Sequence, residues 1–213
     1  ALQQARYEAL LLSQDMMAAE GITAATNARV YWDRGNMEHW LRAEKEGTLK
    51  QRNIMAVWAY PHMDDAYQID KIKSMYRDDK TSKLRISQIK FYSDGTISNN
   101  SAAVLEDYTA LVHPDMHKDG GNYFTEDRLA RYTTELEKVG YDVHIHALGD
   151  RAVRESLNAI EAAQKANPDI KSKRRHQLTH LALIHPDDIP RFGELGVVAN
   201  FQLNYDLEET EGA

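Results

Sequence analysis

Cysteine is missing from the chain altogether. Disulfides, thiolate nucleophiles and cysteine-based zinc sites are therefore excluded. Any metal has to be held by histidine, carboxylate or a modified lysine. No apolar run reaches the roughly 18 residues that a membrane-spanning helix needs, so no membrane partner is expected. Positive charge is in deficit: 26 Lys and Arg stand against 33 Asp and Glu, a net charge of -7. A nucleic-acid binder shows a basic face, and none is expected here. The one basic cluster, Lys171 to Arg175, is short and reads as a solvated approach to a strand. No G-x-G-x-x-G turn follows any strand-like run, which argues against a dinucleotide site. No secretory leader is expected within the opening ALQQARYEALLLSQDMMAAEG, which reads as a mature helix. The chain starts without Met and already inside that helix, as a piece of a longer protein would. The compartment is not legible from this end, and the cytoplasm is only the default expectation.

What is present fits an ordinary globular chain of 213 residues, 42% hydrophobic and 28% charged. Helical spacing runs from Ala5 to Ala19 and stops at Gly21. A strand is expected in GITAATNARV. A helix follows from Asn36 to Glu46, with Asn36 as its cap and Gly47 as its stop. RNIMAVWAYP reads as a strand, Ala66 to Tyr76 as a helix, and LRISQIKFYSDG as a strand ended by Asp94-Gly95. The stretch from Thr96 to Tyr123 is polar and aperiodic, and a loop that long is more often functional than idle. Thr125 caps the next helix, which Gly140 ends. YDVHIHA is a strand, Asp150 to Ala166 a helix halted by Asn167-Pro168, and RRHQLTHLAL a strand. Pro186 opens a short helix that ends before Gly196, and VVANFQL is the last strand. This alternation predicts an α/β fold of about six βα units with parallel strands. Either an open doubly wound sheet or most of an eight-stranded (β/α) barrel would satisfy it.

Lys90, His146, His180 and Gln202 fall at C-terminal strand ends, the face where barrel active sites sit. His144 and His146 are two apart, so on a strand they point the same way. His180 repeats the placement of His146 one unit later. Adjacent strands lie about 4.8 Å apart, so the two imidazoles can converge on one ion. His176, four residues before His180, would share its face but lies nearer the strand start, a structural position. A buried Lys90 has a lowered pKa and can add CO₂ to form a carbamate. His62, His113, His117 and His185 lie in loops or beside prolines, where a solvated histidine is the default. His113 and His117, in the long loop, are also candidate substrate contacts.

The runs HALGDRAV, RHQLTHLALIHPDDIPRFGELGVVANFQ and IKFYSDGTISNNSAAVLEDY together resemble the amidohydrolase superfamily. The resemblance is to family 3, the YtcJ-like group that includes N-substituted formamide deformylases, and it spans about Gly21 to Gln202. It implies a (β/α)8 TIM barrel with one or two divalent ions, zinc first. A metal-activated water would attack an amide-type C–N bond of a small molecule. By motif, His146 and His180 match the family's fifth- and sixth-strand metal ligands, and Lys90 a carboxylated bridging lysine. Asp94 and Gly95 shape the loop; Asp150 and Arg151 cap and orient the following helix. His144, His113, His117 and Gln202 are the candidate substrate contacts.

The departures from the family pattern carry expectations of their own. The first-strand His-x-His pair and the last-strand Asp, the general base, are absent. Asp206 is too close to Gln202 to replace that base. Thr179 stands where the family commonly has Glu, Leu203 where it has Pro, and the arginine common in the loop after Asp94-Gly95 is missing. The 213 residues are thus expected to be one catalytic-barrel segment lacking the first-strand and last-strand parts. Such a segment would be inactive in isolation, and its open sheet edges would favour a homo-oligomer. The competing expectation is a non-catalytic (β/α) binding module whose histidines only pack.

Overall fold

The computed structural model describes residues 2–170 and 173–202. Its six strands are β1 (Ala24–Val30), β2 (Arg52–Trp58), β3 (Leu84–Tyr92), β4 (Asp142–Ala147), β5 (Gln177–His180) and β6 (Val198–Phe201). They form one sheet in the order β1-β2-β3-β4-β5-β6, and every neighbouring pair is parallel. The helices are α1 (Leu2–Ala19), α2 (Glu38–Lys45), α3 (Asp65–Met75), α4 (Glu126–Glu137), α5 (Asp150–Ala166) and α6 (Ile189–Leu195). Sequential strands lying side by side, each crossover carrying a helix, make a partial (β/α) barrel. β1 and β6 are its open edges.

Period-two alternation builds the two faces. Met55, Val57, Ile89, Phe91, Val143, Ile145, Ala147 and Leu178 belong to the apolar core beneath the helices. Fully burying a side chain of the Val, Ile or Phe size contributes about 1.5–3 kcal/mol. The intervening residues turn the other way. Trp58 is paired with Lys90, Lys90 with His144 and Tyr92 with His146. α5 closes the core with Ala152, Val153, Ser156, Leu157, Ala159, Ile160 and Ala163, all buried and spaced as one helical stripe. α4 turns Leu129, Tyr132, Thr133 and Leu136 inward in the same way.

Local signals held unevenly. Thr125 caps α4, its side chain accepting from the Arg128 N–H. Asn36 does not cap α2, which starts two residues later after Met37 with no side-chain cap; a 3-10 turn at Trp32–Arg34, ended by left-handed Gly35, takes up the intervening chain. Asp150 is the first residue of α5 rather than its cap, which is Gly149. Its carboxylate instead accepts from the Leu105 N–H at 2.9 Å, tying the long loop to the helix start.

His176 sits on the helix side of the sheet, 2% exposed. Its Nδ1 accepts from the Val143 N–H at 3.1 Å. Its Nε2 therefore carries the proton and donates to Glu137 at 3.0 Å. The other Glu137 oxygen accepts from Asn167 at 2.6 Å, so α4, β4, β5 and the end of α5 meet at one carboxylate. Glu137 itself is 1% exposed. Truncating one member of such a pair strands the other in a dry site. Glu137→Ala is expected to cost about 3 kcal/mol in urea unfolding. Glu135→Ala, whose lysine partners are half-exposed, should cost within about 1 kcal/mol. Equal losses in the two variants would refute the assignment.

Candidate functional site

Lys90, His144 and His146 all project from the concave face of the sheet and are 3%, 5% and 4% exposed. Burial brings the Lys90 amine down to about 7, with the Arg29 charge adding to the effect. Burial likewise brings His144 and His146 down to about 3, with the nearby Lys90 adding to the effect. His180 is lowered too, by burial first, against a raising hydrogen bond from Gln202. At neutral pH the three imidazoles are therefore neutral, the form that offers a lone pair to a cation.

Hydrogen bonds decide which nitrogen offers it. His146 Nε2 lies 2.9 Å from the Gly95 carbonyl, to which it must donate. That leaves the lone pair on Nδ1, which is buried and has no hydrogen-bond partner. His180 Nδ1 donates to the Gln202 carboxamide oxygen at 2.8 Å, leaving the lone pair on Nε2. The two rings meet edge to face with centroids 4.5 Å apart. His144 is held differently: its Nε2 pairs with Thr179 Oγ1 at 2.6 Å, and its Nδ1 is buried without a hydrogen-bond partner.

His180 reaches this face by breaking the strand rule. Thr179 already points inward, so a regular strand would turn His180 outward, the side His176 takes. Instead His180 has φ 86° and Leu181 φ 55°. A left-handed backbone at two consecutive non-glycine residues costs on the order of 1–3 kcal/mol each, and such strain gathers at functional sites. The Leu181 N–H bonds to the Ala147 carbonyl at 3.0 Å, holding the turn that swings the ring inward. The expectation that His176 and His180 share a face is thus corrected.

Asp94 lies beneath the histidines and is fully buried. Its carboxylate accepts from the N–H groups of Ala103 at 3.0 Å, Leu148 at 3.1 Å and Gly149 at 2.9 Å, and its Oδ1 is 3.5 Å from His146 Nε2. Burial raises it to about 7 against those hydrogen bonds. With its oxygens committed to the backbone, it is a clamp on the loop and on the β4–α5 turn. Gly149 is required there, since a Cβ would sit 1.9 Å from the Ala103 carbonyl oxygen.

Sequence reasoning brought Lys90, His144, His146, His180 and Gln202 to one place, and the structure gathers them on the same rim. His113 and His117 are exposed in the long loop, His113 facing Asp115 at 3.6 Å. Neither contacts the histidine cluster. Leu203 and Asp206 lie outside the described residues. Sequence reasoning did not single out the rings around the cluster. Tyr92 stacks on His146 with centroids 4.0 Å apart, and Trp58 lies 4.8 Å from Tyr92. Their signal was positional, since both close a strand as the histidines do.

Among the described residues, no three His, Asp or Glu side chains gather closely enough to cage an ion. The donors that fit a metal are the ring nitrogens opposite those that bond Gly95 and Gln202, His146 Nδ1 and His180 Nε2, beside a buried amine. That is part of a coordination sphere, with nitrogen ligands of the kind zinc takes.

A model of the amidohydrolase family matches residues 3–212. Protein LONG AFTER FAR-RED 3 of Arabidopsis thaliana is 30% identical over 128 residues, 60% of this chain and 21% of that protein. "Putative amidohydrolase YtcJ" of Bacillus subtilis (strain 168) is 25% identical over 138 residues, 65% of this chain and 23% of that protein. The chain thus spans under a quarter of either relative. The crystal structure of an uncharacterized metal-dependent hydrolase from Pyrococcus horikoshii OT3 superposes with a TM-score of 0.72 at 20% identity. That likeness of fold covers 94% of this chain and 37% of the other.

Asp94→Ala would strand three buried N–H groups, each unmade bond costing about 1–3 kcal/mol. Hydrogen exchange at Ala103, Leu148 and Gly149 should quicken together in that variant. Gly149→Ala should loosen Ala103 alone with its loop. Unchanged exchange at Ala103 in both variants would remove Asp94 as the clamp.

Proposed function

The chain belongs to the amidohydrolase family, and from that premise we propose that the protein it forms is a metal-dependent hydrolase acting on an amide-type C–N bond of a small molecule. The observation that carries this reading is the convergence of two neutral imidazoles, His146 and His180, with centroids 4.5 Å apart at adjacent strand ends. His146 through Nδ1 and His180 through Nε2 would hold the ion, zinc by preference for nitrogen donors. When bound, such an ion acidifies a water and polarises the scissile carbonyl.

The chain's own residues prepare the rest. The Gly95 carbonyl and the Gln202 carboxamide fix the two tautomers, as outer partners of metal-bound histidines do. Lys90, near 7, is partly neutral at physiological pH, so its Nζ can add to the carbon of CO₂ and lose a proton, giving a carbamate whose oxygens could bridge a second ion. His144, tied back to Thr179, shapes the floor beside Lys90. Gln202 stands at the His180 side, where it would meet substrate. His113 and His117 would approach only from the loop above. The described residues offer no carboxylate in the cluster with uncommitted oxygens, since Asp94 is spent on backbone N–H groups. A general base must therefore come from outside the described residues, and without one the chain is expected to turn over amides hardly at all. The open edges of β1 and β6 would favour association with a second copy.

The second reading, a metal-free binding module, is favoured by one observation: the lack of a three-residue His/Asp/Glu cage among the described residues. Equilibrium dialysis against zinc with elemental analysis separates the two. Zinc should bind the chain, and His146→Ala and His180→Ala should each weaken it by more than the roughly tenfold to hundredfold that loss of a supporting contact costs. His144→Ala should stay within about tenfold of the parent chain, the lower end of that range. No zinc uptake under replete conditions would leave the binding module. Normal turnover of a chromogenic anilide by the isolated chain would contradict the missing base.

A further inference from the structure

The rim holds a second built feature beside the histidines. The bonded register of β1 slips between Asn27 and Val30: Asn27 pairs with Met55 but Val30 with Val57, so β1 carries one extra residue. A bulge of this kind bends a strand and re-aims a side chain, and bulges favour the neighbourhood of active sites. Here it throws Arg29 over the rim. The Arg29 guanidinium carbon lies 5.1 Å from the Tyr92 ring centroid, 5.4 Å from Trp58 and 5.9 Å from Tyr31. Those rings form an unbroken row with the site. Tyr31 to Trp58 is 5.4 Å, Trp58 to Tyr92 4.8 Å, Tyr92 to His146 4.0 Å and His146 to His180 4.5 Å.

Arg29 has no carboxylate partner among the described residues, and its side chain makes no hydrogen bond, although it is exposed. Arg34 also lies over Tyr31, at 4.7 Å, but not over Trp58 or Tyr92. The positive charge of Arg29 is felt at Lys90 and at His146, in keeping with its place over Tyr92 beside them. A guanidinium fixed on aromatic faces keeps its N–H fork directed outward, and that fork fits a carboxylate in two-point fashion.

We propose that Arg29 is a specificity-determining residue, and that the substrate is a planar or aromatic amide bearing a carboxylate. The carboxylate docks on the Arg29 fork, the flat part lies along Trp58 and Tyr92, and the C–N bond is presented toward His146 and His180. The substrate class rests on the hydrolase reading; the anion subsite does not, and it can be measured without a metal.

The experiment titrates the chain with benzoate, benzamide and benzamidine in EDTA, read by calorimetry, so that no bound cation can serve as the carboxylate's partner. Benzoate should bind at least about tenfold more tightly than benzamide, as a charge-assisted pair warrants, and benzamidine should be rejected. Arg29→Gln should erase the preference, and Arg29→Lys should restore part of it. Circular dichroism of both variants should match the parent, since Arg29 makes no buried contact that the fold needs. Equal binding of benzoate and benzamide, no binding of either, or a preference that survives Arg29→Gln would overturn the proposal. Zinc uptake measured separately on the same protein tells whether the hydrolase reading fails with it or stands without it.

Discussion

One carboxylate holds the functional rim together. Asp94 leaves β3 and gathers the amides of Ala103, Leu148 and Gly149, so the end of one strand, the turn after the next and the long loop share a single fixed point. A buried carboxylate is tolerated only when its oxygens are this well satisfied. The Gly95 carbonyl that follows it orients His146. The same few residues that fasten the loop thus set the tautomer of the central histidine. The absence of a side chain at Gly149 lets the loop come close enough for this to happen.

The rim owes its chemistry to three departures from regular strand geometry, in β1, in β3 and at the end of β5. Past the extra residue of β3, ordinary alternation supplies Trp58, Lys90, Tyr92, His144 and His146, which is why they share a face. It cannot supply Thr179 and His180 together, because neighbours in a strand point opposite ways. The left-handed backbone at His180 makes both available, one to His144 and one to His146. It equally fails to aim Arg29, which the extra residue of β1 directs over the rings. Local irregularity places these groups, and the sheet itself carries one more, an extra residue in β3 between Ile86 and Gln88.

Much of the fold was legible because each βα unit carries its own signals. LRISQIKFY is rich in β-forming residues, Thr125 caps its helix, and Gly140 and Gly196 stop theirs. Legibility failed where tertiary contacts outweighed local preference. Asn36 looked like a cap, yet it falls in the turn after Gly35 and α2 begins two residues later. RRHQLTHLAL read as a long strand, but regular pairing covers only Gln177–His180. Of the site, the histidines were visible through their repeated placement at strand ends. The aromatic row was not, since Trp58 and Tyr92 resemble core residues until their neighbours across the sheet are known. Arg29 carried no sequence mark, because a bulge has no residue signature outside glycine.

The backbone at His180 and Leu181 has a thermodynamic corollary. A ring swung inward at a conformational cost is a ring whose position and whose occupancy are coupled. A species gripped by that imidazole would also hold the end of β5 in its high-energy geometry. Equally, anything that relaxes the turn loosens the grip by the same factor. The peptide between His180 and Leu181 is thus a latch shared by the chain and its guest, and neither can be released without the other feeling it.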